Sequence, residues 1–234
     1  MNLAFGSQSI MMDERVLENY IDRFSDGAVL YIPVSYSSLL SASSDRSDFL
    51  SLNRRYYYFL RRDLIINFSW REWLAVKSPG LFIPNWEAQY WTVDEFDEAG
   101  VQTADTIDVQ ADANAAVQRH ILVHEKNGEY TYNEETLLCL NRIIALCKDH
   151  QITPVLITTP FLREYNDLVP KDFLDMQRSY LNTLAAEQQI EYLDFSQDVR
   201  FIDRYDLFLN SDHLNDNGAL IFTDLLLDGG LPSF

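Results

Sequence analysis

An alternation of short apolar runs with longer segments of helical periodicity constrains the fold of this chain most. The run A-V-L-Y-I-P-V at 28–34 is continuous, as in a strand buried on both faces of a parallel sheet. Further short runs occupy Pro154–Thr159 and Ile190–Asp194, and Asn2–Phe5 is a shorter candidate. Strands that alternate with helices are typical of a parallel sheet covered on both sides. We therefore predict an α/β fold, a three-layer sandwich around one parallel sheet.

Five segments carry apolar side chains at the spacing of an amphipathic helix. They are Asp13–Phe24, Leu50–Leu64, Asn133–His150, Pro170–Gln188 and Asn215–Leu227. The last three open on a helix-start signal, asparagine as N-cap or proline at the first position. The second contains R-R-Y-Y-Y-F-L-R-R, whose arginine stems we expect to cover an aromatic stripe. A cationic surface for a substrate or lipid headgroups is the alternative.

At 234 residues the chain is most simply one domain. Residues 39–132 have the weakest regular pattern and are predicted to be an irregular insertion, rich in aromatic and acidic side chains. Its acidic part, 94–112, lacks the ligand spacing of a calcium loop and is interpreted as a solvated segment. His120 and His124 have the i, i+4 spacing of zinc ligands, but the H-E-x-x-H order is absent and no third ligand is evident. We predict neither a metal nor a cofactor.

Composition excludes several classes of protein. Hydrophobic residues make up 47% and aromatic residues 13%, which excludes a mostly disordered chain. The formal net charge of −18 repels nucleic acid and anionic lipid, so neither is predicted as a partner. No apolar run approaches the ~18 residues of a membrane span, and no signal-peptide pattern is present, so a soluble chain is expected. Cys139 and Cys147 lie about 12 Å apart along one predicted helix and cannot bridge each other.

The run F-L-N-S-D-H-L-N-D-N-G-A at 208–219 concentrates polar side chains just before an apolar helix. Of the four histidines, His213 alone has polar partners on both sides and a helix start behind it. A general base is often carried in such a position. The alternative is an N-capping turn, in which Asn215 caps the helix, Asp216 favours its dipole and His213 is merely exposed.

Loops that follow the predicted strands all leave from one edge of the sheet. Ligands gather at the carboxyl ends of parallel strands, so this edge is the expected position of a site. We predict that one depression there is lined by Gly6, Ser7, Tyr36, Thr159 and His213.

Four of these stretches together resemble the SGNH/GDSL hydrolase superfamily. They are N-L-A-F-G-S-Q-S, A-V-L-Y-I-P-V-S-Y-S-S, I-T-P-V-L-I-T-T-P-F followed by Y-N-D, and S-D-H-L-N-D-N-G-A. The closest resemblance is to the bacterial envelope branch that includes polysaccharide O-acetyltransferase-like proteins. It implies a flavodoxin-like sandwich and a serine esterase or O-acyltransferase acting on acylated envelope glycans. It also implies relatives that are membrane-anchored, with this domain outside the cytoplasmic membrane.

The resemblance assigns roles to particular residues. His213 matches the general base, and Gly6 and Ser7 match oxyanion positions of the second block, beside Tyr36 and Thr159. The acid of the family's D-x-x-H pattern is expected three residues before the base, where this chain has Asn210. Asp212, adjacent to His213, is the candidate replacement. In the serine-protease triad an asparagine in the orienting role lowers turnover about 10⁴-fold, so this departure matters.

A second departure concerns the nucleophile. The family's first block, G-D-S or G-S-S-H, occurs nowhere in the sequence, and we expect the first strand and the nucleophilic serine to be missing. Ser7 and Ser9 follow the predicted strand Asn2–Phe5, so we predict that neither is a replacement nucleophile. The chain alone is then expected to have little or no esterase activity. The alternative function is a non-catalytic module of the same fold that binds a glycan or a protein.

Overall fold

The computed structural model describes Leu3 and residues 8–41, 54–78 and 103–233. The α-helices of these residues are α1 (Ile10–Tyr20), α2 (Trp70–Lys77), α3 (Val109–His120), α4 (Glu134–Asp149), α5 (Arg163–Leu168), α6 (Lys171–Gln188) and α7 (Asp216–Leu227). The strands are β1 (Val29–Pro33), β2 (Thr153–Thr158) and β3 (Glu191–Asp194). Short 3-10 helices lie at Ile21–Arg23, Arg55–Tyr58, Arg62–Leu64, Ala104–Thr106, Leu122–His124 and Tyr205–Leu207. The fold is therefore mixed α/β, as predicted.

The three strands form one parallel sheet in the order β1-β2-β3. Val29 pairs with Thr153 at the start of β1, and Val155 pairs with Glu191 at the start of β3. The central strand β2 is buried from Pro154 to Thr158. Three of the four predicted strands thus share one parallel sheet, which confirms that part of the prediction. Of the fourth, Asn2–Phe5, the structure describes Leu3 alone, so that strand stays a prediction.

Contacts divide the chain into two compact units. The first comprises Met1–Ala28, Ser41–Glu98 and Asn133–Ile152, and the second comprises Val29–Leu40, Ala99–Tyr132 and Thr153–Phe234. The single domain with an insertion at 39–132 stays a prediction.

The second unit holds the sheet and two apolar clusters. In one cluster, α7 contributes Phe222 and Leu226, which pack with Val155 and Ile157 of β2. In the other, the alanine and valine side chains on one face of α3 pack with residues of α5 and α6 around Tyr165. These two clusters hold α3 and α7 in place. The run that contains His213 leads directly into α7.

The first unit is built on the packing of α1 against α4. Buried Glu14 on α1 accepts two hydrogen bonds from the Arg142 guanidinium on α4, at 2.5 and 2.9 Å. Burial disfavours the carboxylate, but the hydrogen bonds and charge of Arg142 lower the pKa of Glu14 below its ordinary value. Cys139 and Cys147 are both free and buried on α4, as predicted.

The start signals of two helices act as the sequence predicts. Asn133 caps α4 by accepting from the backbone N–H of Thr136 at 3.0 Å, and Asn215 caps α7 by accepting from that of Gly218 at 3.0 Å. Pro170 immediately precedes α6. Capping depends on residues within one turn of each other, so a local pattern is enough to locate it.

Two local predictions are wrong. Leu50–Leu64 is not one helix in its described part, which forms 3-10 turns at Arg55–Tyr58 and Arg62–Leu64. Consecutive Tyr56 and Tyr57 are both buried there, and aromatic side chains favour the helix less than straight-chain residues do. The strand β1 is not buried on both faces either, because Val29 and Pro33, which share one face, are exposed and Tyr31 between them is only half-buried.

None of the described helices combines the length and the apolar character needed to cross a membrane.

Candidate functional site

The His213 run folds into a tight turn, which we call the site turn, residues 209–215. Its backbone closes on itself, because the Leu209 N–H donates to the His213 carbonyl at 2.8 Å and the Asn215 N–H donates to the Leu207 carbonyl at 3.0 Å. A bridge between Phe208 and Leu214 flanks the turn. Buried Phe208 anchors one end of the turn and the cap of α7 anchors the other.

Asn210 organises the turn from inside. Its side-chain oxygen accepts from the backbone N–H groups of Asp212 and His213, at 3.2 and 2.9 Å, and lies 3.0 Å from His213 Nδ1. Asp212 Oδ1 lies 2.9 Å from the same Nδ1. Both partners of Nδ1 are acceptor oxygens, so Nδ1 carries the proton and the neutral ring has its lone pair on Nε2.

Burial differs sharply between the two neighbours Asp212 and His213. The Asp212 side chain is 8% exposed, whereas that of His213 is 61% exposed. The other Asp212 oxygen, Oδ2, lies 3.6 Å from Nε2 of His120, the last residue of α3. One enclosed carboxylate therefore faces two imidazoles, one of which opens to solvent.

The electrostatics of the pair favour charge separation. The hydrogen bond to Asp212 raises the pKa of His213 above its ordinary value, against desolvation, and the charge of Asp112 adds to the rise. For Asp212, burial disfavours the carboxylate, but the hydrogen bond from His213 and the charges of His213, His120 and Arg119 lower its pKa. Asp212 is thus held as an anion beside an imidazole that accepts a proton readily.

A second carboxylate ties the site turn to α3. Asp112 Oδ2 accepts from the backbone N–H of Ser211 at 2.9 Å and from its hydroxyl at 2.6 Å. Ser211 is fully buried, so both of its donors depend on this carboxylate. The residue just before the Asp212–His213 pair is therefore fixed by a helix about a hundred positions earlier in the chain.

Gly218 in the first turn of α7 makes the close packing possible. A Cβ atom at this position would lie 2.0 Å from the backbone oxygen of Leu207, which real atoms do not tolerate. The same oxygen accepts from the Asn215 N–H. Glycine is therefore required for α7 to start directly below the site turn.

Tyr36 and Thr159, the other described residues predicted for the site, have different surroundings. Tyr36 is buried after β1, and its hydroxyl donates to Asn166 Oδ1 at 2.9 Å. The Asn166 amide in turn donates to the Ser196 carbonyl at 2.9 Å. We call Tyr36, Asn166 and Ser196 the sheet-edge cluster. Thr159 follows β2 and is partly buried.

Tyr165 contacts the sheet-edge cluster and is close enough to the site turn for the Asp212 charge to act on it. Its ring stacks on that of Tyr36 with centroids 6.2 Å apart. Burial raises the pKa of Tyr165, and the Asp212 charge raises it further. Gly6 and Ser7 lie outside the described residues, so the depression predicted for all five positions stays a prediction. Ser9 is described, and its hydroxyl caps α1 by accepting from the Met12 N–H at 3.4 Å.

Sequence reasoning missed the contributions of α3. It interpreted 94–112 as a solvated segment, which is wrong for Ala104 and for Val109 in the first turn of this helix, because both are buried. The available signal was Asp108, whose side chain caps the helix by accepting from the Ala111 N–H at 3.0 Å. The small apolar residues behind it, alanine and valine, were masked by the acidic composition around them.

His120 and His124 do not share one helix. His120 ends α3, the backbone leaves the helical region at Ile121, and His124 lies in the following 3-10 turn. Within the described ranges, no group of three His, Cys, Asp or Glu side chains is arranged to hold a metal ion.

Neither the protein-family models nor the curated proteins with which the chain was compared match it.

Proposed function

We propose that this chain is an SGNH-like serine esterase or O-acyltransferase that acts on acylated envelope glycans, with His213 as its general base. Its fold would then be the three-layer, flavodoxin-like sandwich of that superfamily. The proposal rests on the resemblance of its sequence blocks and on the chemistry that the site turn supports.

One observation carries the proposal. His213 Nδ1 is directed at two oxygens, of Asp212 and Asn210, while the imidazole is largely exposed. An imidazole fixed through Nδ1–H presents the lone pair of Nε2 to a proton donor, which is how histidine activates a hydroxyl nucleophile. An N-capping turn alone needs only Asn215 and gives no reason for an enclosed carboxylate at Asp212.

Asn210 and Asp212 divide the role that one acid has in the D-x-x-H pattern. Asn210 occupies the expected position and orients the ring without charge, whereas Asp212 supplies the negative charge from the neighbouring position. A carboxylate here stabilises the imidazolium that forms when Nε2 takes a proton. This arrangement offsets the loss of the acid at position 210.

The reaction proceeds in two half-steps. A serine oxygen attacks the acyl carbonyl carbon while its proton moves to Nε2, and backbone N–H groups stabilise the oxyanion. The C–O bond to the sugar then breaks, and the sugar oxygen takes the proton from Nε2. Water or a second sugar hydroxyl attacks the acyl-serine by the same proton transfers, which gives hydrolysis or acyl transfer. The proposal assigns no serine of the 234 positions as nucleophile.

The proposal is tested by acetate release from an acetylated oligosaccharide, using the full product of the gene. His213→Ala should lower the rate about 10²- to 10⁴-fold, the range for loss of a general base. His150→Ala, which removes an exposed histidine at the end of α4, is the matched control and should leave the rate unchanged. The pH profile should rise through the raised pKa of His213, and Asp212→Asn should shift that rise to lower pH.

Equal rates for His213→Ala and the unaltered protein would overturn the assignment of the base. Absence of hydrolysis and of transfer with the full gene product would favour the non-catalytic binding module instead. The 234-residue chain alone should hydrolyse simple aryl acetates little or not at all. Robust hydrolysis by this chain, abolished by both Ser7→Ala and His213→Ala, would show that Ser7 is a nucleophile after all.

A further inference from the structure

Residues 54–78 reverse the charge of the rest of the chain. They contain six of its 18 Lys and Arg residues but only two of its 36 Asp and Glu residues. The segment has a formal charge of +4 in a protein whose remaining residues total −22. It lies entirely within the first compact unit. Such a local reversal points to an anionic binding partner.

Aromatic rings are interleaved with these cations. The Arg62 guanidinium carbon lies 4.6 Å from the ring centroid of Trp70 and 5.3 Å from that of Phe68. The Trp70 ring meets the rings of Phe68 and Trp73 edge to face, with centroids 5.2 and 5.7 Å apart. Trp70 remains 55% exposed, and the neighbouring Arg71 is exposed as well. We call these five residues the basic aromatic patch.

The patch has a rigid base. Ser69 caps α2 by accepting from the Glu72 N–H at 3.4 Å, and its own N–H donates to the Tyr57 hydroxyl at 2.9 Å. Tyr57, Val76 and other buried residues form an apolar cluster against which Phe68 and Trp73 pack. The exposed Trp70 ring and the Arg62 guanidinium stacked on it therefore stand on a packed base before any partner binds, which limits the entropy lost on binding.

Although the net charge of −18 disfavours anionic lipid as a partner of the chain as a whole, we propose that the basic aromatic patch binds the headgroup region of an anionic lipid bilayer. Tryptophan combines an apolar body with a polar N–H and is favoured at the level of lipid headgroups. Arginine can extend its apolar stem along the interface while its guanidinium remains among the phosphates. Clustered cations near an anionic membrane surface each add to the attraction. This surface is distinct from the site turn and independent of its chemistry.

A bilayer suits the patch better than a soluble polyanion does. Charges beyond about 8 Å are largely screened at physiological ionic strength, so a membrane that meets the patch is attracted mainly by the nearest side chains. A base or sugar ring would compete with Arg62 for a face of Trp70.

Vesicle binding tests the proposal with the intact 234-residue chain. Sedimentation with vesicles of phosphatidylcholine mixed with phosphatidylglycerol should bring down the protein at low salt, and vesicles of phosphatidylcholine alone should not. Each cation near an anionic surface is worth about fivefold in binding, so Arg62→Glu with Arg71→Glu should lower the partition coefficient at least about thirtyfold. Trp70→Ala should lower it in both low and high salt.

The matched control is Lys126→Glu with Lys171→Glu, which makes the same charge change at exposed positions of the second unit and should retain binding. Thermal melting verifies that each variant is folded. Equal losses in the two double variants would leave only general charge repulsion and overturn the proposal. Binding to neither vesicle would also overturn it, as would patch-dependent binding of a soluble polyanion, such as an oligonucleotide or polygalacturonate, without vesicle binding.

Discussion

The sheet-edge cluster and the site turn belong to the same compact unit, yet they differ in whether their polar groups are all paired within the protein. In the sheet-edge cluster the Asn166 amide donates to three backbone carbonyls and accepts from the Tyr36 hydroxyl, all within the protein. In the site turn the hydrogen bonds converge on Nδ1 of His213 and leave the rest of its ring exposed. One cluster is closed and the other opens to solvent.

The difference separates stability from chemistry. A closed set of buried hydrogen bonds stabilises the fold because losing any member strands a buried partner. A group that transfers protons needs one atom left unpaired and exposed to the substrate, while neighbouring residues hold its other atoms in place. The site turn meets this condition through Asn210 and Asp212, whereas Tyr36 is buried and its hydroxyl is already paired. Tyr36 is therefore better explained as support than as a group that contacts substrate.

The most damaging change to the site turn should be Gly218→Ala. The added Cβ would lie 2.0 Å from the Leu207 oxygen, so α7 must shift away from the turn that it supports. We expect the free energy of unfolding to fall by about 3 kcal/mol or more, as for severe overpacking. Denaturant unfolding measures the change.

Gly128→Ala is the control for Gly218→Ala. Its φ of +81° disfavours a side chain, but no atom lies within 4 Å of the added Cβ, so the cost should be about 1 to 2 kcal/mol. A Gly218 variant that is no less stable than the Gly128 variant would show that α7 can move without cost.

The closed cluster is tested by Asn166→Ala. This change strands the buried Tyr36 hydroxyl and removes a donor from the Ser196 carbonyl, so we expect a loss of about 2 to 3 kcal/mol. Asn182→Ala is the matched control, because that exposed amide donates to the Arg178 carbonyl on its own helix. Its cost should be within about 0.5 kcal/mol. Similar losses of unfolding free energy in the two variants would show that the closed set of hydrogen bonds does not stabilise the fold.

The exposed imidazole of His213 in the site turn is tested by measuring how stability depends on pH. The raised pKa of His213 implies stabilisation that is complete below about 6.5, its ordinary value, and is lost as pH rises through the raised value. Asp212→Asn removes the main cause, so the pKa of His213 in an NMR titration should fall and this part of the pH dependence should disappear. Asp216→Asn, exposed in the first turn of α7, is the control. An unchanged titration in Asp212→Asn would exclude the carboxylate as its cause.

The smallest effect should come from His120→Gln. His120 faces Asp212 Oδ2 at 3.6 Å, beyond hydrogen-bond distance, and its charge helps to lower the pKa of Asp212. Replacement should raise that pKa slightly, measured by carbon NMR of the carboxylate, while the His213 tautomer is retained. His150→Gln serves as control. A change of the His213 tautomer would give His120 a positioning role that its distance from Asp212 does not suggest.

Much of the secondary structure followed from the sequence because its signals are local. The caps Asn133 and Asn215, the apolar run of β2 and the period of α6 each depend on residues within a few positions of one another. His213 stood out for the same reason, since its partners Asn210 and Asp212 lie within three residues. Local hydrogen bonding and periodicity are properties that a sequence displays directly.

Tertiary structure decided which distant residues complete the site. The Asp112 carboxylate meets Ser211 across 99 positions, and His120 reaches Asp212 only because α3 packs beside α5. The sequence placed both residues in an irregular insertion. Such partners depend on which apolar faces pack together, and a pattern of spacing within one segment carries no information about the face that another segment presents.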